Sequence, residues 1–70
     1  MKSELEFFLY TKNETIAKLS KELGINDKTL SNKLKGKGEF KANEIRIVSE
    51  KFHLSDEEIV RFFNLKELNK

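Results

Sequence analysis

Seventy residues, 37% hydrophobic and 37% charged, leave room for one small domain of marginal stability, because a chain this short buries only about 60% of its unfolded surface. With no cysteine and a single histidine there is neither a disulfide framework nor a set of zinc ligands, so helix packing alone must hold the fold. The longest apolar run, Phe7 to Tyr10, falls far short of the roughly 18 residues that cross a bilayer, and the N-terminus has no signal-peptide pattern. The expectation is a cytoplasmic protein without a membrane partner.

Proline is absent, glycine is scarce, and Lys, Glu and Leu abound without period-two alternation, which predicts an all-α chain, a compact bundle of about five short helices. The first runs from Ser3 to Lys12, opened by the Ser3 and Glu6 capping-box pair. Leu5, Phe8 and Leu9 form its inward stripe, and Phe7 and Tyr10 are expected to add aromatic bulk to the core rather than to stack on bases. After a polar connection over residues 11–14, Thr15 is placed to cap a second helix in which Ile16, Leu19, Ser20 and Leu23 share one face. Ser20 is small where another helix must come close. Gly24 then ends the helix, since a residue without a Cβ enters the left-handed region at little cost.

A third helix restarts at once over about residues 27–35. Asn26 is placed to cap its free amides, Asp27 suits its positive end, and Ile25 and Leu30 flank the cap as a hydrophobic staple. Leu30 and Leu34, four apart, face inward. Asp27, Lys28, Ser31, Asn32 and Lys35 remain on the solvated side. The following Gly36, Lys37, Gly38 and Glu39 read as a helix-ending loop; a G-x-G after a helix is weak as a phosphate cradle.

Ala42 to Phe52 read as a fourth helix with Ile45, Val48 and Phe52 inward and Ile47 beside them, preceded by Phe40 as a core plug. His53 falls in a connection as a surface or partly packed residue. Leu54, Ser55, Glu58 and Ile59 combine a capping box with a hydrophobic staple and start a fifth helix, whose apolar face is Ile59, Phe62 and Phe63 with Val60 to one side. The residues from Asn64 to Lys70 keep Leu65 and Leu68, compatible with a longer helix, a frayed end or a surface against a second subunit.

No nucleophile with an adjacent base, no pocket-forming carboxylate pair and no metal-ligand set is visible, so the expectation is a non-enzyme with no cofactor, no metal and no small-molecule substrate. The acidic run from Asp56 to Glu58 suits the first turn of a helix without any catalytic role. The charge is uneven along the chain. Residues 15–41 carry Lys18, Lys21, Lys28, Lys33, Lys35, Lys37 and Lys41 against Glu22, Asp27 and Glu39, whereas the flanks are slightly acidic. A positive centre between acidic flanks is the asymmetry of a protein drawn to a polyanion.

Two helices joined through a glycine turn, the second with a short polar outer face, describe a helix-turn-helix, spanning about residues 15–35, whose second helix enters the DNA major groove. Groove chemistry pairs Asn32 with adenine, whose N6 and N7 match a side-chain amide, and Lys28 with guanine O6 or N7. Asp27 either accepts from cytosine N4 or favours the helix start, and Ser31 reaches a base or a phosphate. Lys35, Lys37 and Lys41 lie along the sugar-phosphate backbone in this reading; in the plainer one they are solvated lysines. Because one helix reads few base pairs, a homodimer on a two-fold double-stranded DNA operator is expected, with half-sites about 34–36 Å apart.

The run LSKELGIN followed by TLSNKLKGKGEF resembles the Cro and repressor class of phage-type helix-turn-helix proteins, the XRE class. Ser20, Gly24 and Leu30 match its small residue, turn glycine and buried aliphatic, and the likeness continues through FKANEIRIVSEKFHLSDEEI. It implies a lambda-repressor-like fold, base-edge positions at Asp27, Lys28 and Asn32, and first-turn amides at Thr15 aimed at a phosphate. It also implies repression by occupying a promoter operator. Two positions depart from the pattern: Ile16 stands where the family often has a phosphate-contacting Gln, and Lys41 where a Ser or Thr cap is common. The competing expectation is a protein-interaction module, an antitoxin, antirepressor or inhibitor, that reuses the helices and buries its apolar tail, Phe63, Leu65 and Leu68, in a partner.

Overall fold

Each helix starts where a short polar side chain can take the amides that the helical ladder leaves over. In the computed structural model, which describes residues 3–63, Ser3 caps α1 (Glu4–Thr11), Thr15 caps α2 (Ile16–Leu23), Asn26 caps α3 (Asp27–Leu34) and Ser55 caps α5 (Asp56–Phe62). The cap bonds run from the amides of Glu6, Lys18, Thr29 and Glu58 at 2.7 to 3.2 Å. In α5 the box closes both ways, with the Ser55 amide donating to Glu58 Oε1 at 2.9 Å.

The fourth helix, α4 (Ala42–Phe52), begins differently. Lys41 sits at its N-cap and offers no acceptor. The reverse arm of a capping box holds the start, the Lys41 amide donating to Glu44 Oε1 at 2.9 Å, and Glu44 is buried. The residues inward on α4 are therefore Glu44 and Val48, with Ile45, Ile47 and Phe52 half-buried.

The helix ends share one device. After α1, α2, α3 and α4 the chain turns through a residue with positive φ, namely Asn13 (59°), Gly24 (74°), Gly36 (84°) and His53 (55°). In each case the next amide reaches back five residues: Glu14 to Leu9 at 3.0 Å, Ile25 to Ser20 at 3.1 Å, Lys37 to Asn32 at 2.8 Å and Leu54 to Ser49 at 2.9 Å. This six-to-one closure satisfies an orphan carbonyl and aims the chain sharply away.

The described residues are all helix, turn or irregular, with no strand among them, and the chain divides into two units, Met1–Glu39 and Phe40–Lys70. In the first, Leu5 and Leu9 of α1, Leu19, Ser20 and Leu23 of α2, and Leu30 and Leu34 of α3 are buried. A cleft of about 150 Å³ is lined by Leu9, Ile16, Leu19, Leu30 and Leu34, with Glu14 also in its wall. Glu14 Oε2 is buried there without a hydrogen-bond partner. In the second unit Val48 is fully enclosed, and Phe63, at the end of α5, meets half-buried Phe40 edge-on with centroids 5.0 Å apart. Phe40 thus packs as expected.

One expectation is overturned. Phe7 and Tyr10 lie outside the core: they are 60% and 70% exposed, and Tyr10 reaches only the rim of the cleft. At 100° per residue they lie about 200° and 140° around α1 from Leu5, opposite the Leu5–Phe8–Leu9 stripe. Residue type favoured burial and helical position decided against it.

Candidate nucleic-acid interface

Helices α2 and α3 pack on each other across the turn at residues 24–26. The turn has the conformation its residues favour: Gly24 is left-handed, and Asn26 is extended with its side-chain carbonyl 2.7 Å from the Thr29 amide. Leu30, with no exposed surface, and Leu34 fill the inner side of α3. The outer side is then set by helical geometry. Lys28, Ser31, Asn32 and Lys35 follow at i, i+3, i+4 and i+7 and form one continuous strip; Lys28 and Lys35 are exposed, Ser31 and Asn32 half-buried.

Asp27, the first residue of α3, sits apart from that strip. It lies about 20° around the helix from Leu34 and faces α2. Its Oδ1 accepts from Ser20 Oγ at 2.5 Å; Ser20 is only 2% exposed, and the Ala17 carbonyl, 3.2 Å from the same hydroxyl, is the weaker acceptor for its single proton. Side-chain chemistry thus joins the two helices where the sequence showed only a small residue. The spacing of seven, across a turn, is not one at which local rules look for a pair.

Thr15 Oγ1 accepts from the Lys18 amide at 3.1 Å, and its carbonyl takes the Leu19 amide. The helical ladder supplies no partner for the Ile16 and Ala17 amides, and at the positive end of α2 these suit an anion. Beyond α3, Lys37 is tied back by its amide to the Asn32 carbonyl, so the loop is closed against the end of that strip. Thr15, Lys28, Ser31, Asn32, Lys35 and Lys37 all belong to the first unit. Lys41 belongs to the second, exposed at the start of α4.

The chain matches no protein-family model, no curated protein and no solved structure. Among the described residues no group of three or more His, Cys, Asp or Glu side chains is arranged to hold a metal ion, and no helix is long and apolar enough to cross a membrane.

Sequence reasoning passed over four residues of structural weight: Asn13, His53, Glu44 and the hydroxyl of Ser20. Asn13 had a signal, since asparagine follows glycine in tolerance of the left-handed region. Glu44 had one too, three residues after the cap position. His53 had the same signal as Asn13 in weaker form, and the Ser20–Asp27 bond had none.

Proposed function

We propose that the chain is a sequence-specific double-stranded DNA-binding regulator in which α2, the Gly24 turn and α3 act as a helix-turn-helix and α3 reads base edges. The observation that carries this reading is the strip Lys28–Ser31–Asn32–Lys35, hydrogen-bond capable along its length and held outward by the burial of Leu30 and Leu34 on the other side of the same helix. Lys28 donates to guanine, Asn32 pairs with adenine, and Ser31 takes a base or a phosphate. The first turn of α2 at Thr15, together with Lys35, Lys37 and Lys41, contacts phosphates, which positions the helix without reading sequence. Two copies on a two-fold operator supply the specificity that one eight-residue helix lacks. A lambda-repressor-like arrangement of the five helices and repression at a promoter belong to the same proposal.

The exposed Phe7 and Tyr10 favour a second reading, a module that docks on another protein through α1. A salt titration separates the two. Binding to random duplex and to duplex from around the chain's own gene is followed from about 50 to 200 mM salt, where a DNA reader loses about 0.9 in log affinity per log salt for each phosphate neutralised. Preference for one duplex by roughly a thousandfold is the expected result. Binding to neither duplex at low salt would replace the DNA reading with the protein-partner one. Within the DNA reading, Asn32→Ala is expected to cost roughly 1–3 kcal/mol on the preferred duplex only, while Lys37→Ala weakens all duplexes alike and lowers the salt slope by about one.

A further inference from the structure

We propose that Ser20 and Asp27 form a positioning brace that sets the rotation of α3 on α2, so that Asp27 acts on the DNA preference through the orientation of Lys28 and Asn32 and does not itself read a base. This rests on the DNA-binding reading above. Burial of Leu30 and Leu34 sets which face of α3 turns inward, but apolar contacts are non-directional and oppose a small rotation about the helix axis only weakly. A hydrogen bond opposes it more strongly, because it weakens steeply away from its preferred angle. The bond from Ser20 Oγ to Asp27 Oδ1 is 2.5 Å long, its donor is buried, and it grips the first residue of an eight-residue helix immediately before Lys28. A carboxylate acceptor makes it the stronger, charge-assisted kind. Asp27 also flanks Leu34 on the side of α3 turned toward α2, away from the Lys28–Asn32 strip. Even a small rotation of α3 about its axis, with the leucines still covered, would carry all four strip residues off together.

The test uses the full chain. Wild-type protein enriches its preferred duplex from a randomised library, and affinity is then measured for that duplex, for each of its single base-pair variants and for an unselected duplex. The proteins compared are wild type, Ser20→Ala, Asp27→Ala, Asp27→Asn and the double Ser20→Ala/Asp27→Ala. The quantity read is preference, the ratio of selected to unselected affinity, which cancels any gain from removing a negative charge near DNA. Folding is checked by helical circular dichroism at the binding temperature.

The expected result is a loss of preference of about tenfold in Ser20→Ala and in Asp27→Ala, the worth of one charge-assisted hydrogen bond. The double variant is expected to lose no more than either single one. Asp27→Asn, which keeps an oxygen acceptor, retains most of the preference, and in the alanine variants discrimination flattens at every base pair together. If Asp27→Ala abolishes discrimination at one base pair and Ser20→Ala leaves the profile intact, Asp27 is a base reader and the brace is overturned. If folded Ser20→Ala melts earlier with an unchanged profile, the bond is purely structural and the proposal fails as well. Should wild type enrich no duplex and bind none at low salt, the DNA reading itself falls, an outcome distinct from both.

Discussion

Glu14 shows how one atom can be out of step with its surroundings. Its backbone amide closes the end of α1, yet Oε2 is buried in the wall of the cleft behind α3 with no hydrogen-bond partner. A buried acceptor left unsatisfied costs about 1–3 kcal/mol. Removing a negative charge just ahead of α2 costs less, about 0.3–1 kcal/mol at a helix start. The first effect wins. Glu14→Met, which is unbranched and fits irregular gaps, is therefore expected to stabilise the chain by about 1 kcal/mol and raise its melting midpoint by about 4–8 °C in a thermal scan. A fall in midpoint would mean that the carboxylate is solvated rather than orphaned.

Among the elements, the helix ends differ more in chemistry than in shape. Asn13, Gly24, Gly36 and His53 adopt the same left-handed turn and support the same six-to-one bond, although a residue with a Cβ pays about 1–2 kcal/mol for it unless its side chain compensates. Nothing lies within 4 Å of a Cβ built on Gly24, so the penalty there is backbone strain alone. Gly24→Ala is accordingly expected to destabilise by about 1 kcal/mol, and His53→Gly to stabilise by about 0.5–1 kcal/mol, both read from urea midpoints at unchanged m-value. Equal responses at the two sites would remove the conformational argument. The starts were legible in the sequence because a cap is a short-range pairing between a side chain and amides two or three residues on; Ser3, Thr15, Asn26 and Ser55 all cap as their spacing predicted. The end at His53 was not read from the sequence, because histidine's enrichment in the left-handed region is weak beside glycine's and marks no position by itself.

For the molecule as a whole, the enclosed side chains Leu30 and Val48 lie in different units, Met1–Glu39 and Phe40–Lys70. Each unit is shorter than the roughly 40 residues below which a chain without disulfide or metal seldom folds alone. One cooperative unfolding transition is therefore expected. Leu30→Ala, costing about 2–5 kcal/mol, and the smaller Val48→Ala should each lower that one midpoint. Two transitions, each moved by only one of the substitutions, would show instead that the units unfold independently.

The all-helical class, the order of five helices, the glycine turn between α2 and α3 and the two inward leucines of α3 followed from the sequence, because periodicity, caps and turn residues act over a few neighbouring positions. The basic centre of the chain was legible for the same reason, as a matter of composition along a segment. Phe7 and Tyr10 face outward opposite the Leu5, Phe8 and Leu9 stripe, a placement that helical periodicity carries and residue type obscures. Tertiary structure decided the remainder. Glu44 is buried while the same capping bond leaves Glu58 half-buried, and Asp27 is turned toward Ser20 because two helices meet there. Those outcomes depend on which surfaces meet across a turn, information that lies in the packing of one element on another and in no single stretch of chain.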